Sequence, residues 1–571
     1  MRRMTNDKSQ VKNEIGTIRK DRRGRLSVAL VYPNTYHVGM SNLGFQTVYQ
    51  LLNQMDEVVC ERAFVPERSE PGRITTAESG SVLSDFDMIA FSVSYENDYL
   101  NLLTIFEKTA IPPLSEDRND AYPLIIAGGV ACFLNPEPIA PFIDCFLIGE
   151  AEILIPRFFE VLKDTGFFEK KHFLNLKALA QNVPGVYVPK FYKTICHKDG
   201  TIRSVEPLCD VPAKTERVFL KDLSQTPTCS AILTPDTIFR KTFLAEVSRG
   251  CPHGCRFCSA GYVYRPPRFR PVSLLKQCME QGMAMTDRIG LVGAAVSDLP
   301  GLEELCSFQE NARISFSSLR ADALTPQLVS ALKKSRVKTA TIAPDAGSER
   351  MRRVINKGMT EEDILNAADL LVSNGIPNLK LYFMTGLPTE TMEDVEAIVS
   401  LCKQIKQRFL ASSRINKRIG EITVSLNAFV PKPFTPFQWA PMDDVRTLKK
   451  KIKWVKNGLK RVANVRFHGD IPRQAKIQAL LSRGDRNVAD ILSLAHKNKH
   501  NWPKTIKESP LNLEDYIYRT RAPDEYLPWD IIHHGINKSF LKREYDKAMG
   551  GETSSPCRME SSCHVCGVCK E

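Results

Sequence analysis

No run of about 18 apolar residues occurs in this chain, so no membrane-spanning helix is expected. The start, Met1-Arg2-Arg3-Met4-Thr5-Asn6-Asp7-Lys8, carries charge with no apolar stretch behind it, and so does not read as a secretory leader. These two absences point to a cytoplasmic protein without a membrane partner. The composition is not that of a disordered chain either, since 43% of the residues are apolar and 25% charged. At 571 residues the chain is too long for one core. The length suggests about three or four domains.

What is present in excess is cysteine. Seven of the sixteen cysteines fall in two tight groups, at 251 to 258 and 557 to 569. In a reducing compartment such groups suggest metal binding or catalysis and not disulfides. The other nine are scattered through apolar segments and read as small buried residues. The net charge of +13 permits an acidic partner such as RNA without establishing one. The most basic run, Arg446 to Arg461, contains Lys449, Lys450, Lys451, Lys453, Lys456 and Lys460. Val445, Leu448, Ile452, Val455 and Leu459 recur within it at helical spacing. It reads as a docked helix with a solvated basic face, with nucleic-acid contact as the alternative.

The organisation is α/β. Residues 1–24 are polar and read as a loose tail. Over 25–175, apolar runs at Leu26–Tyr32, Asp87–Val93, Pro123–Gly129 and Cys145–Glu150 alternate with helical patterns, which predicts a parallel, doubly wound Rossmann-like sheet. Its strand ends carry Ser92, Ser94, Gly128, Gly129, Gly149 and Glu150. These either let a ligand approach or simply make tight turns. Residues 176–240 read as a β-rich connector. Over 241–440, six further strands begin at Phe243, Arg288, Ile314, Thr339, Leu379 and Glu421, with helices between, and predict a partial (β/α)6 barrel. A helical extension is expected over 441–548. Residues 549–571 form a Cys-rich tail with no apolar period, which only docking or metal can order.

Cys251-Pro252-His253-Gly254-Cys255-Arg256-Phe257-Cys258 follows the first strand of the second series, with the spacing C-x3-C-x2-C. Thiolates are the usual ligands of [4Fe–4S] clusters, normally four of them. This loop offers three and leaves one iron open for a substrate. Structural zinc is the alternative, but zinc sites usually pair C-x2-C units or add a second knuckle, which His253 does not supply. The loop resembles the defining motif of the radical S-adenosylmethionine (SAM) superfamily. That resemblance implies that the open iron binds the amino and carboxylate groups of SAM and that Phe257 lies near the adenine. It further implies that an electron from a reductant such as flavodoxin or ferredoxin releases methionine and a 5′-deoxyadenosyl radical.

Later strand ends add to the likeness. Gly290 to Ala295, with Gly293, stands where the family carries a glycine-rich stretch touching SAM, though it departs from the common Gly-Gly-Glu form. Ser317 and Arg320 suit a carboxylate or ribose. Asp345, Ser348 and Glu349 resemble the family's acidic and serine contacts to SAM. Tyr382 to Thr391 is also characteristic, and Phe429 to Trp439 resembles the closing segment of radical SAM methylthiotransferases. No His, Glu or Lys stands out by spacing as a general base.

The segments Met40 to Gly44, Ala127-Gly128-Gly129 and Ile148-Gly149-Glu150-Ala151-Glu152 resemble the cobalamin-binding-like domain that precedes the barrel in one class of these proteins. Gly44, Gly128, Gly129 and Gly149 are then implied to line the cofactor site. The D-x-H-x-x-G cobalt motif is missing, because Asn34-Thr35-Tyr36-His37-Val38-Gly39 lacks its aspartate and spacing. A sheet kept for substrate recognition is the alternative. In the tail, Cys557, Cys563, Cys566 and Cys569 read as ligands of a second Fe–S cluster, or of structural zinc. The expected activity is SAM cleavage with modification of a substrate carbon, by methylation if cobalamin binds. The alternatives are cobalamin-independent chemistry such as sulfur insertion, with the tail cluster as donor or electron relay, and a metal-stabilised RNA-binding or scaffold protein. The basic helix favours an RNA or ribosome-related substrate.

Overall fold

The computed structural model describes residues 13–67, 73–166, 174–308, 312–317, 319–415, 419–560 and 562–569. Its first unit is a six-stranded sheet in the order β2-β1-β3-β4-β5-β6. The strands are β1 (Leu26–Tyr32), β2 (Val58–Phe64), β3 (Met88–Ser92), β4 (Leu124–Gly128), β5 (Cys145–Leu147) and β6 (Val186–Tyr187). All pair in parallel except β6, which runs antiparallel to β5. Helices α1 (Leu43–Gln54), α2 (Tyr99–Thr109) and α3 (Ala151–Asp164) connect and cover it. Every residue of β1 is buried, as expected of a parallel strand packed on both faces. The strand order reverses between β1 and β3, which opens a crevice at their carboxyl ends.

The sequence reading overlooked β2 because Glu61 and Arg62 interrupt its apolar run. Both are buried and paired. Arg62 bonds Glu78 at 2.6 Å and Glu14 at 2.7 Å, and Thr76 and Ser79 donate to Glu61. This pairing also corrects the reading of residues 13–24 as a loose tail. Glu14 is drawn into the core by Arg62, Ile15 pairs with Leu233, and the Ile18 amide donates to the Tyr49 hydroxyl at 2.9 Å. Residues 1–12 lie outside the described residues.

The second unit has seven parallel strands among the described residues. They are β7 (Phe243–Glu246), β8 (Arg288–Val292), β9 (Arg313–Phe316), β10 (Thr339–Asp345), β11 (Asn378–Thr385), β12 (Ile422–Ala428) and β13 (Val465–Gly469). They form sheets β7-β8-β9 and β10-β11-β12-β13, and among the described residues no ladder joins β9 to β10. The result is an open half-barrel. Strand β13 lies in the stretch expected to be a helical extension, and interrupts it. It is a short edge strand with Arg466 and His468 exposed, and its core-facing side has only two apolar residues, Val465 and Phe467, too few to mark a strand in the sequence. Helix α4 (Val445–Leu459) carries the chain from β12 to β13.

Strand β11 alternates strictly, with Leu379, Leu381, Phe383 and Thr385 buried against the helices. The opposite face points into the half-barrel. There Lys380 is in register with Thr423, Tyr382 with Ser425, and Ser425 with His468. The inner wall is thus polar, while the outer face carries the core. No described helix is long and apolar enough to cross a membrane.

Candidate active site

The loop carrying Cys251, Cys255 and Cys258 leaves β7 and is fixed mainly through its backbone. The Cys258 amide bonds the Cys255 carbonyl at 3.0 Å, and the Gly261 amide bonds that of Cys258 at 3.2 Å. The Gly254 carbonyl accepts from the Tyr262 hydroxyl and from Asn356 Nδ2, both at 3.2 Å. Arg256 is fully buried, and its guanidinium reaches the Val354 carbonyl at 3.0 Å, the Glu552 carbonyl at 2.8 Å and Glu544 at 3.1 Å. Cys255 is buried and the other two cysteines half-buried.

Burial pushes the Cys251 thiol up to about 12, and raises Cys255 and Cys258 as well, with Lys357 pulling the other way on both. Metal binding there must therefore release protons. The donor set fits an iron–sulfur cube. Three thiolates on one zinc would have to approach each other to about 3.8 Å at ~2.3 Å zinc–sulfur bonds. A cube places each thiolate on a different iron, and so accepts wider spacing.

The residues expected to contact SAM divide into two groups. Asp345 lies at the end of β10 with φ 62°, a conformation that costs a non-glycine residue energy. Its carboxylate pairs with Lys357 at 2.6 Å, and the charges of both act on Cys255. Arg320 also acts on Cys255, and is held by Asp322 at 2.8 Å and the Lys357 carbonyl at 3.0 Å. Gly293 and Ser317 meet, the Ser317 hydroxyl lying 3.1 Å from both the amide and the carbonyl of Gly293. Phe257 packs against the cluster of Phe429, Leu387 and Ala346 at the ends of the later strands. Ser348 and Glu349 already have partners within the chain. Ser348 caps a helix by accepting from the Met351 amide and donates to Asp394 at 2.6 Å. Glu349 accepts from the Glu361 amide at 3.1 Å.

Lys357 and Asn356 were not singled out from the sequence, because no spacing connects them to the cysteines. They reach the loop only when the turn after the Glu349–Val354 helix folds back on it.

A cavity of about 440 Å³ joins the two units. It is lined by Gly44, Ser92, Gly128 and Gly149 from the first sheet, by Gly293 and Ala294 from the barrel, and by Gly250 and Ala260 beside the cysteines. An apolar branch runs between the first sheet and its helices past Leu30, Leu52, Ile126 and Phe159. At Gly129 and Gly149 an added Cβ would meet the Val93 and Val218 carbonyl oxygens at 2.4 and 2.2 Å, so close backbone approach requires glycine there. At Gly44 only the Asn42 side chain comes near, at 3.3 Å, and the space beyond belongs to the cavity. His37 bonds Asp236 at 2.9 Å and does not line the cavity.

Beside the cavity the two units are clamped by charge. Arg249, two residues before Cys251, binds Glu150 at 2.8 Å, Glu152 at 2.5 Å and Glu246 at 2.9 Å. Arg268 adds a 2.7 Å bond to Glu150, and Arg270 a 2.6 Å bond to Glu246. Glu150 and Glu152, matched in the sequence to a ligand-binding pattern, form the clamp and also line the cavity.

The tail also reaches this region. The Cys557 amide donates to the Pro252 carbonyl at 2.7 Å, and the charges of Cys557, Cys563 and Cys566 all act on Cys569. His564 is exposed.

Comparison with known proteins agrees with this layout. Residues 44–189 match the family model "Radical SAM proteins, N-terminal", and residues 245–402 match that of the radical SAM superfamily. The chain is 32% identical to the uncharacterised protein MJ0966 of Methanocaldococcus jannaschii, over 86% of this chain and 96% of that one. It is 28% identical to the tRNA-2-methylthio-N(6)-dimethylallyladenosine synthase of Chloroherpeton thalassium, over 29% of this chain and 39% of the synthase. Among solved structures, the radical SAM methyltransferase TsrM of Kitasatospora setae aligns over 74% of this chain and 76% of its own, with a TM-score of 0.46 and 13% identity.

Proposed function

This chain belongs to the radical SAM superfamily, and from that premise we propose that it is a cobalamin-dependent methylase of an unactivated carbon, with Cys251, Cys255 and Cys258 holding the [4Fe–4S] cluster. The carrying observation is a cavity lined by the carboxyl ends of the first sheet and of β7 and β8, and by Gly250 and Ala260 on either side of the cysteine loop. Bound at the loop, the cluster supplies the electron that breaks the C5′–sulfur bond of SAM. Cobalamin in the cavity supplies a methyl group for transfer. The chain's own residues position and shield. Asp345 with Lys357, and Arg320, offer charges beside Cys255 to the amino and carboxylate ends of SAM. Phe257 offers a ring face to the adenine, and Gly293 with Ser317 offers backbone and hydroxyl partners. Leu30, Leu52, Ile126 and Phe159 along the apolar side of the cavity would hold part of a bound cobalamin by apolar contact.

Anaerobic protein from cobalamin-fed cells, supplied with methyl-labelled SAM, tests this reading. Cobalt near one per chain (about 1, with about 4 irons at the loop) and label appearing in a substrate support it. Iron without cobalt would refute the methylase reading and favour cobalamin-independent chemistry. Gly44→Leu fills the cavity wall at a site without backbone obstruction. It is expected to cut bound cobalt at least about tenfold, with iron content and melting temperature little changed. Equal cobalt in both proteins would remove the cavity from the argument.

For the substrate we favour RNA. Helix α4 exposes Lys449, Lys450, Lys453, Lys456 and Lys460 together with Trp454, which is 48% exposed and free to stack on a base. Lys451 is not part of this face; it is buried and docks the helix on Glu390 at 2.9 Å and Asp443 at 2.7 Å. Affinity for bulk RNA should fall steeply with salt. Lys449→Gln with Lys453→Gln should lower the slope of log K against log salt by about 1.5–2 units. A slope unchanged by these substitutions would exclude this face as the RNA contact.

A further inference from the structure

The Cys-rich tail has no part in the function proposed above. Helix α5 (Lys538–Met549) brings it to the cysteine loop, with Glu544 holding Arg256 at 3.1 Å. Beyond that helix the Ser554 amide donates to Asn356 Oδ1 at 2.8 Å, and Asn356 donates onward to the Gly254 carbonyl at 3.2 Å. Next, the Cys557 amide meets the Pro252 carbonyl at 2.7 Å, one residue from Cys251. From the other side, the Arg265 side chain bonds Cys566, lies close to Cys557 and donates to the Gly261 carbonyl at 2.7 Å. Cys566 is buried, and its carbonyl accepts from the Asn537 amide at 2.8 Å.

We propose that Cys557, Cys563, Cys566 and Cys569 hold a second, redox-active iron–sulfur cluster that passes single electrons to the cluster on the 251–258 loop. This rests on the reading of that loop given above. The path between the two sites consists of covalent bonds and one hydrogen bond, Cys557 N–H to Pro252 C=O. The Cα atoms of Cys557 and Cys251 lie within about 11 Å of each other, from 3.8 Å per peptide step and the remaining bonds of that path. Zinc at these cysteines would carry no electron. A sulfur-donor role would require the tail to face the substrate space, but no tail residue lines the cavity. The outer side of the tail faces solvent. Val565 is 59% exposed there and its carbonyl accepts from exposed Arg543 at 3.3 Å, while Arg558 is exposed elsewhere on the same tail. These cations suit docking of an acidic, low-potential, one-electron donor protein of the ferredoxin or flavodoxin kind. One electron enters from that donor and moves from the tail cluster to the loop cluster, leaving the tail cluster oxidised again. It then enters the sulfonium of SAM as the C5′–sulfur bond breaks. The products are the neutral thioether of methionine and a carbon radical, so one electron breaks one bond.

The test uses the full chain, reconstituted without oxygen, in three forms: wild type, Cys563→Ala/Cys566→Ala, and Cys251→Ala/Cys255→Ala/Cys258→Ala. Wild type is expected to hold about eight irons, and each variant about four. Reduction of the loop cluster by reduced ferredoxin, followed by freeze-quench electron paramagnetic resonance, should slow roughly tenfold or more in the tail variant. Arg265→Gln keeps every ligand and removes a cation beside the tail sulfurs, so it should move the tail cluster's midpoint to a more negative potential. Zinc with no extra iron in wild type, an unmoved midpoint, or equal reduction rates with and without the tail cluster would each overturn the proposal. A loop variant that keeps all its iron would instead overturn the reading of the loop, which separates the two failures.

Discussion

Cys255→Ala is expected to abolish reductive cleavage of SAM and to remove the iron of the loop, while the protein stays folded. Cys255 is the buried member of the trio, and the charges of Lys357, Asp345 and Arg320 all act on it. A cube held at only two corners is not retained well enough to turn over, so the loss should be complete. Folding should survive because the substitution removes one sulfur atom, and a truncation of that size in a core costs on the order of 1–2 kcal/mol. Three quantities decide the matter: iron per chain, 5′-deoxyadenosine formed under dithionite, and the melting temperature. Cys402→Ala is the matched control, since Cys402 is equally buried but lies in the barrel's helical layer. It should lose a similar amount of stability and no iron. Cleavage retained by Cys255→Ala would refute the assignment of the loop.

What the sequence disclosed and what it hid have physical causes. Strands β1, β3, β4 and β5 were legible because parallel strands covered on both faces read as short apolar runs. Strand β2 was hidden by Glu61 and Arg62, whose partners Glu14, Thr76 and Glu78 lie outside the strand and neutralise what looks like a surface pattern. Strand β13 was hidden for the opposite reason, since an edge strand with exposed Arg466 and His468 has no buried face long enough to show a period. The cysteine loop was legible because its three cysteines are local in sequence. Lys357 and Asn356 were not, because their approach to the loop is made by tertiary folding. Ser348 and Glu349 show how one residue type can serve two ends: the sequence does not separate a serine that caps a helix from one that meets a ligand, and in the structure Ser348 accepts from the Met351 amide. The tail's cysteines could be read as metal ligands from spacing alone, but their contact with Pro252 could not.

Arg249→Met should be the most destabilising single substitution in the region between the two units, at about 3–5 kcal/mol. Its guanidinium is 10% exposed and serves three carboxylates, Glu150, Glu152 and Glu246. After its removal Arg268 still meets Glu150, and Arg270 still meets Glu246. Glu152 loses its ion pair with Arg249 and keeps a long 3.4 Å bond from Thr228 and one from its own backbone. A charge buried without a partner, more than the lost attraction, sets the cost. Arg249→Lys should recover little, because one ammonium cannot reproduce a fork aimed at three groups. The pH dependence gives the mechanism a separate check. Burial pushes the Glu150 and Glu152 carboxyls up, but hydrogen bonds and charge from Arg268 and Arg249 at Glu150, and from Arg249 at Glu152, outweigh it and hold both below the usual range. A lowered folded value means the stabilisation is complete above the ordinary glutamate value of about 4.3 and fades as pH falls through the folded value. The gap in unfolding free energy between wild type and Arg249→Met should therefore be widest near neutrality and close progressively on acidification below that value. Adding Glu152→Gln to Arg249→Met should restore part of the loss at neutral pH, since it removes the stranded charge. A gap that stays constant with pH, or a double variant no more stable than the single one, would mean that Arg249 acts by packing alone and that the two units are not clamped by charge.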